Sequence, residues 1–212
     1  MTSSRSTALE LASIEDEIIH MFALVAEGVV AATEALLSDD TALASDVMRR
    51  DAMVDRLYLQ LEDLALARLT AEPAKPDLVR YLVFVLRVVP EIERSSDLVR
   101  HIARRTGQGL AEQLTPRARG LVSEMGRVAG ELWRLSADAF VERDNDLAWS
   151  LADADEALDD LYVSLTVELA SGRLELPIAL DMALVARLYE RLGDHAVNIA
   201  RRVPALGGVR WR

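Results

Sequence analysis

Apolar residues in segment 43–64 recur alternately four and three positions apart: Leu43, Val47, Val54, Leu57, Leu61 and Leu64 form one stripe, with Arg50 as its polar member. Segment 147–165 repeats the pattern through Leu147, Leu151, Ala154, Leu158, Leu161 and Leu165. This alternation is the seam of helices that pair lengthwise, so both segments are predicted to be long bundle helices. Polar or Gly/Pro-rich punctuation at 38–40, 71–76, 107–115, 143–145 and 171–177 divides the chain into six helical stretches of about 25 to 30 residues. Thr115 before Pro116 reads as an N-cap followed by proline at the first helical position. Gly172 is placed to end the fifth stretch and Pro177 to begin the sixth.

The pattern is a duplication. Ala35–Leu61 lies without a gap on Ala139–Leu165, 104 residues later, matching Asp51 with Asp155, Asp55 with Asp159, Leu57 with Leu161 and Tyr58 with Tyr162. A second echo, displaced by 97, lays Glu93-Arg94-Ser95-Ser96-Asp97 on Glu190-Arg191-Leu192-Gly193-Asp194. Three helices per copy with short loops predict an all-α chain of two tandem antiparallel three-helix bundles, residues 1–106 and 107–212. The connector 107–115 is the expected boundary, with the third helix free to run past it.

Composition agrees: 51% hydrophobic residues, 5% aromatics, ten Gly and six Pro suit an Ala/Leu-rich helical protein rather than a sheet protein. With no cysteine, disulfides and thiolate chemistry are excluded, and oxygen and imidazole are left as metal ligands. A net charge of −11 without segregated basic residues argues against nucleic acid as a partner. The N-terminus lacks the basic flank and apolar core of a secretory signal, and the run Tyr81–Leu86, taken as the most apolar, is too short to span a bilayer. A soluble cytoplasmic protein without membrane insertion is expected.

Four acid pairs are spaced i,i+4: Asp51/Asp55, Glu93/Asp97, Asp155/Asp159 and Glu190/Asp194. Each places two like charges one turn apart on a helix, which costs a few tenths of a kcal/mol unless offset. Retaining that cost in both copies suggests a use: two facing pairs offer four carboxylates to a hard cation such as Mg²⁺, Ca²⁺, Mn²⁺ or iron. The competing reading is a solvated face, on which nearby Arg50, Arg56, Arg94 and Arg191 pair with the acids.

The segments ERSSDLVRHIARR and YERLGDHAVNIARR, each preceded by a D-x-x-x-D helix, resemble the PhoU family of bacterial phosphate-uptake regulators, whose hallmark is a repeated E/D-x-x-x-D motif in two three-helix bundles. The resemblance covers nearly the whole chain. It implies a homodimeric negative regulator of phosphate uptake and phosphate-starvation signalling, not an enzyme, acting between the ATPase of a phosphate ABC transporter and a sensor histidine kinase. It also implies a divalent or multinuclear metal (iron, or Mg, Mn or Zn). One site would use Asp51, Asp55, Glu93 and Asp97, and the other Asp155, Asp159, Glu190 and Asp194. The alternative is a helical interaction module with no metal dependence.

The first half departs from the family pattern. Ser95-Ser96 stand where Ile-Gly is usual, and Pro90 precedes the motif, so Glu93 and Asp97 are expected to be aimed differently from Glu190 and Asp194. Arg49, Arg50 and Arg56 surround the first pair, whereas the second copy has Asp153, Ala154 and Asp160 there. The second site is therefore expected to hold metal better than the first.

The remaining candidates are weaker. Glu17 and His20 have the E-x-x-H spacing of a di-iron bundle, but no second copy exists. His195 is expected at a surface or interface, Tyr58 and Tyr162 in packing with their hydroxyls near a carboxylate, and Trp133, Trp149 and Trp211 in packing. Arg201, Arg202, Arg210 and Arg212 suit a helix C-terminus or an acidic partner. No nucleophilic triad or phosphate-binding loop is present.

Overall fold

The computed structural model describes residues 2–71 and 75–207, with side chains from residue 11 onward. Among the described residues there is no strand. Helices α1 (Thr2–Ser38), α2 (Thr41–Ala71) and α3 (Pro76–Ala103) form the first bundle, and α5 (Pro116–Glu142), α6 (Asn145–Ala170) and α7 (Leu176–Ala200) form the second. The six predicted stretches are present, but α1 is longer than expected at 37 residues. The connector also contains a one-turn helix, α4 (Leu110–Gln113), and a 3₁₀ turn, Val203–Leu206, follows α7. Helix α3 stops at Ala103, short of the connector.

The breaks are made by side chains that supply what helix ends lack. Thr115 Oγ1 accepts from Ala118 N at 3.0 Å, with Pro116 in the first turn of α5. Asp144 accepts from Leu147 N at 2.9 Å to start α6, after Arg143 has taken the left-handed conformation that ends α5. Asp40 caps α2 through Leu43 N at 2.9 Å, and the preceding Asp39 accepts from Gly107 N at 2.7 Å, tying the α1–α2 turn to the connector. Gly172, with φ of +73°, follows the end of α6.

The predicted seams are real: Val47, Val54 and Leu61 on α2 and Leu151, Leu158 and Leu165 on α6 are fully buried at seven-residue spacing. Helix α2 packs on α1 and α3, and α6 packs on α5 and α7. The halves meet where α1 lies along α5 and α3 meets α7. The buried apolar residues of both halves form one continuous core.

An aromatic cluster marks that junction. Phe22 of α1 lies 5.8 Å from Trp133 and 5.9 Å from Phe140, both on α5. Phe84 of α3 stacks on Phe140 at 5.4 Å. Three polar contacts fix the register: Trp133 Nε1 donates to Leu192 O at 3.0 Å, Thr33 shares a 2.7 Å hydrogen bond with the Tyr189 hydroxyl, and buried Glu15 pairs with Arg143. Gly126 lets α5 approach α1, because a Cβ there would lie 2.2 Å from Thr33 Oγ1.

The most apolar helix is α1, not the α3 run: Leu11–Ser38 is long and apolar enough to cross a membrane by length and composition. Its apolar window is 56% buried, and α1 packs against α2, α3 and α5, which accounts for the apolarity without a bilayer.

Candidate metal centres

The eight motif acids gather into two groups, one between α2 and α3 and the other between α6 and α7. In the first, Asp51 and Asp55 project from α2 toward Glu93 and Asp97 on α3. Asp51 is buried, at 7% exposure. It accepts from the Ser96 hydroxyl at 2.6 Å on Oδ1, and its Oδ2 lies 2.6 Å from Arg100 Nε in an ion contact not aligned as a hydrogen bond. The same guanidinium donates to Asp97. Burial is the main cause that raises the Asp55 and Glu93 carboxyls above the ordinary range, followed by the charges of the other acids in the group; Arg100 opposes this at Asp55 and Arg94 at Glu93.

Helix α3 continues through Pro90, and Glu93 and Asp97 lie within electrostatic reach of the α2 pair. One expectation is corrected. The cation in the group is Arg100 of α3 rather than the α2 arginines. Arg49 pairs with Asp46 at 2.7 Å, and Arg50 lies 3.1 Å from Asp46 and 3.4 Å from Glu27. Arg56 makes no ion pair among the described residues. Arg100 was legible in the 97-residue echo, which lays it on Val197, but only by comparing positions beyond the motif itself.

The second group has the same acids and different surroundings. Gly193 and Val197 stand where the first half has Ser96 and Arg100. A Cβ on Gly193 would lie 2.2 Å from Asp155 Oδ1, so glycine is what admits the carboxylate against α7. Among the described residues Asp155 has no hydrogen-bond donor and no ion-pair partner. Burial, then the charges of Asp159, Asp194 and Glu190, push its carboxyl up to about 6, with Arg201 opposing. The Glu190 carboxyl is also raised, by burial first and then Asp194, against Arg187, which pairs with its Oε1. The other oxygen, Oε2, is buried without a hydrogen-bond partner.

Among the described residues no three Asp, Glu or His side chains already stand in metal-ligand geometry. The acids of each group lie within electrostatic reach of one another, and a shared ion would require them to close further. As a donor set, Asp155, Asp159, Glu190 and Asp194 fit a hard cation: all are oxygen ligands, one oxygen is orphaned, and no cation reaches Asp155 directly. The first group fits poorly, because Arg100 and Ser96 already satisfy Asp51.

His195 sits at the α3–α7 contact, with Nδ1 2.8 Å from Ser95 Oγ and Nε2 3.8 Å from Glu91, and its pKa is lowered chiefly by burial. His20 and His101 are exposed. Tyr58 packs on the core, and its pKa is raised by burial first and then by the neighbouring Glu62 carboxylate. Trp133 is buried, whereas Trp149 is 59% exposed and contributes little packing, contrary to expectation. Arg201 acts on Asp155 as well as ending α7. Trp211, Arg210 and Arg212 lie outside the described residues.

A family model described as the PhoU domain matches residues 18–106 and again 122–203. The chain belongs to the PhoU family. Its relatives include a protein named phosphate-specific transport system accessory protein PhoU homolog 2 from Mycobacterium tuberculosis, 29% identical over 92% of both chains. Another is the PhoU homolog of Pseudomonas aeruginosa, 31% identical over 92% of this chain and 82% of the relative. The crystal structure of Pseudomonas aeruginosa PhoU superposes with a TM-score of 0.86 at 29% identity, covering 93% of this chain and 97% of that one. The Streptococcus pneumoniae PhoU structure, at 24% identity and a TM-score of 0.81, shares the PhoU fold.

Proposed function

We propose that this PhoU-family protein is a cytoplasmic accessory regulator of phosphate transport, a negative regulator of uptake and of phosphate-starvation signalling. In this reading it is a homodimeric adaptor between the transporter ATPase and a sensor histidine kinase, and not an enzyme. The observation that carries the reading is the PhoU domain found twice, in a chain aligned over 92% of its length with relatives named as phosphate-specific transport accessory proteins. An adaptor also needs apolar surface left open. Helix α7 exposes Leu176, Leu180 and Leu184 at helical spacing, and α6 exposes Val163 and Val167.

The regulator holds a divalent cation, iron, Mn²⁺, Mg²⁺ or Zn²⁺, at the second acidic group through Asp155, Asp159, Glu190 and Asp194. A bound ion would supply positive charge and oxygen coordination to that group. The chain's own part is to hold four carboxylates together at a cost that a bound ion would offset. Neutral, the α6–α7 face presents a different charge to a partner from the same face unneutralised.

Affinity capture of the full chain from phosphate-replete cells, with partners identified by mass spectrometry, tests the adaptor role. Recovery of the transporter ATPase and kinase is expected, and recovery of neither would end that role. Capture unchanged after D155N and E190Q would remove the cation from the mechanism and leave the adaptor. That outcome is the metal-free interaction module, which the absence of ready ligand geometry among the described residues favours.

A further inference from the structure

The two acidic groups descend from one ancestral pattern, yet their surroundings differ at two positions with one consequence. Displacement by 104 puts Asp51 on Asp155, and displacement by 97 puts Ser96 on Gly193 and Arg100 on Val197. Ser96 donates to one oxygen of Asp51 at 2.6 Å and Arg100 Nε lies 2.6 Å from the other. In the second half both donors are gone: glycine offers no hydroxyl, and Val197 is a buried apolar side chain at 3% exposure. Of the arginines near the second group, Arg187 pairs with Glu190 from the rim, and Arg201 opposes the raised Asp155 carboxyl by its charge without forming an ion pair to it among the described residues.

We propose that Arg100, seconded by Ser96, is a built-in counter-cation that closes the first acidic group to metal, so that the chain carries one exchangeable cation group rather than two. The Arg100 guanidinium contacts Asp51 of α2 and Asp97 of α3 together, which is the bridging work an ion between those helices would perform. Tethered to α3, it is present at every metal concentration, and a dication entering beside it meets a fixed like charge. The α2–α3 half is therefore held independently of metal supply, and any metal response is confined to α6–α7, where this inference rests on the function proposed above. Arg100 is a positioning residue, and its role is read from which half responds to ions.

The test is Mn²⁺ binding to the chelator-stripped full chain by equilibrium dialysis, with thermal melts alongside. The wild type is expected to bind about one equivalent of a cation class that D155N/E190Q removes. Adding S96G/R100V to D155N/E190Q is expected to restore about one equivalent, now held by the first group. R100V alone is expected to lower Tm by roughly 5 to 10 °C in chelator, with Mn²⁺ recovering most of the loss. The reciprocal V197R decides the matter should the first variant not fold: it is expected to cut Mn²⁺ affinity at the second group at least tenfold, and unchanged affinity would overturn the proposal. Folded S96G/R100V chains that bind no additional Mn²⁺ also overturn it, as does a wild type that fills both groups, a result that leaves the proposed function standing. A wild type that binds nothing while S96G/R100V binds Mn²⁺ upholds the role of Arg100 and removes metal from the proposed function.

Discussion

Asp51 and Asp155 occupy equivalent places in the duplication, and their partners separate them: Asp51 is held by Ser96 and Arg100, and Asp155 by neither. The Asp155 carboxyl is held up to about 6 from an ordinary value of 3.8, by burial first and then by Asp159, Asp194 and Glu190. Between those values the folded chain keeps a proton that the unfolded chain has released, so stability is greater at the acid end and falls as pH rises through about 6. In chelator, D155N is expected to melt above the wild type at pH 7, with the gap closing toward pH 4; a gap independent of pH would contradict this. Gly193 supports the same carboxylate. Gly193→Ala brings a Cβ to 2.2 Å from Asp155 Oδ1 and 2.7 Å from Leu158 Cδ2. It is expected to cost roughly 1–3 kcal/mol in denaturant unfolding, because Leu158 in the core must shift together with the acid.

At the scale of elements, breaker chemistry and seam periodicity were legible because both are local. Thr115 and Gly172 act where the pattern of caps places them, and Asp144 caps α6 within the predicted break at 143–145. That α3 runs on past Pro90 was not legible, since a proline reports a missing donor but not whether packing by neighbours sustains the helix, and α3 packs on α1, α2 and α7. The neutralising arginine was misassigned for a related reason. Arg49, Arg50 and Arg56 are near Asp51 in sequence, whereas Arg100 is near it only once α2 and α3 are paired. Thr115 shows a cap carrying tertiary weight: besides accepting from Ala118 N it donates to Glu168 Oε1 at 2.8 Å, and Glu168 is 4% exposed. Thr115→Ala is expected to cost about 1–2 kcal/mol, the upper part of the N-cap range, measured by urea unfolding; a loss of a few tenths would mean that Arg117 and Arg173 satisfy Glu168 without it.

At the scale of the molecule, the duplication predicts two bundles, and the packing of α1 on α5 and α3 on α7 joins them through one core. Sequence periodicity shows that a helix has an apolar face without showing whose helix will cover it, and α1 is apolar enough to need covering by both halves. Phe140 is where the dependence concentrates, since its ring touches Phe22 of α1 and stacks on Phe84 of α3 while its own helix belongs to the second bundle. Phe140→Ala removes a fully buried ring from that junction and is expected to cost about 3–5 kcal/mol. The physical consequence is cooperativity: a defect in the second half is expected to lower the stability of the first, because Phe84 loses its stacking partner and Phe22 keeps only Trp133. Hydrogen exchange of α3 amides, which lie outside the mutated bundle, is expected to accelerate in parallel with those of α5 as the single global transition moves down. Acceleration limited to α5–α7, with α3 protected as before, would show that residues 1–106 fold as an autonomous unit and that the shared aromatic cluster does not couple the halves.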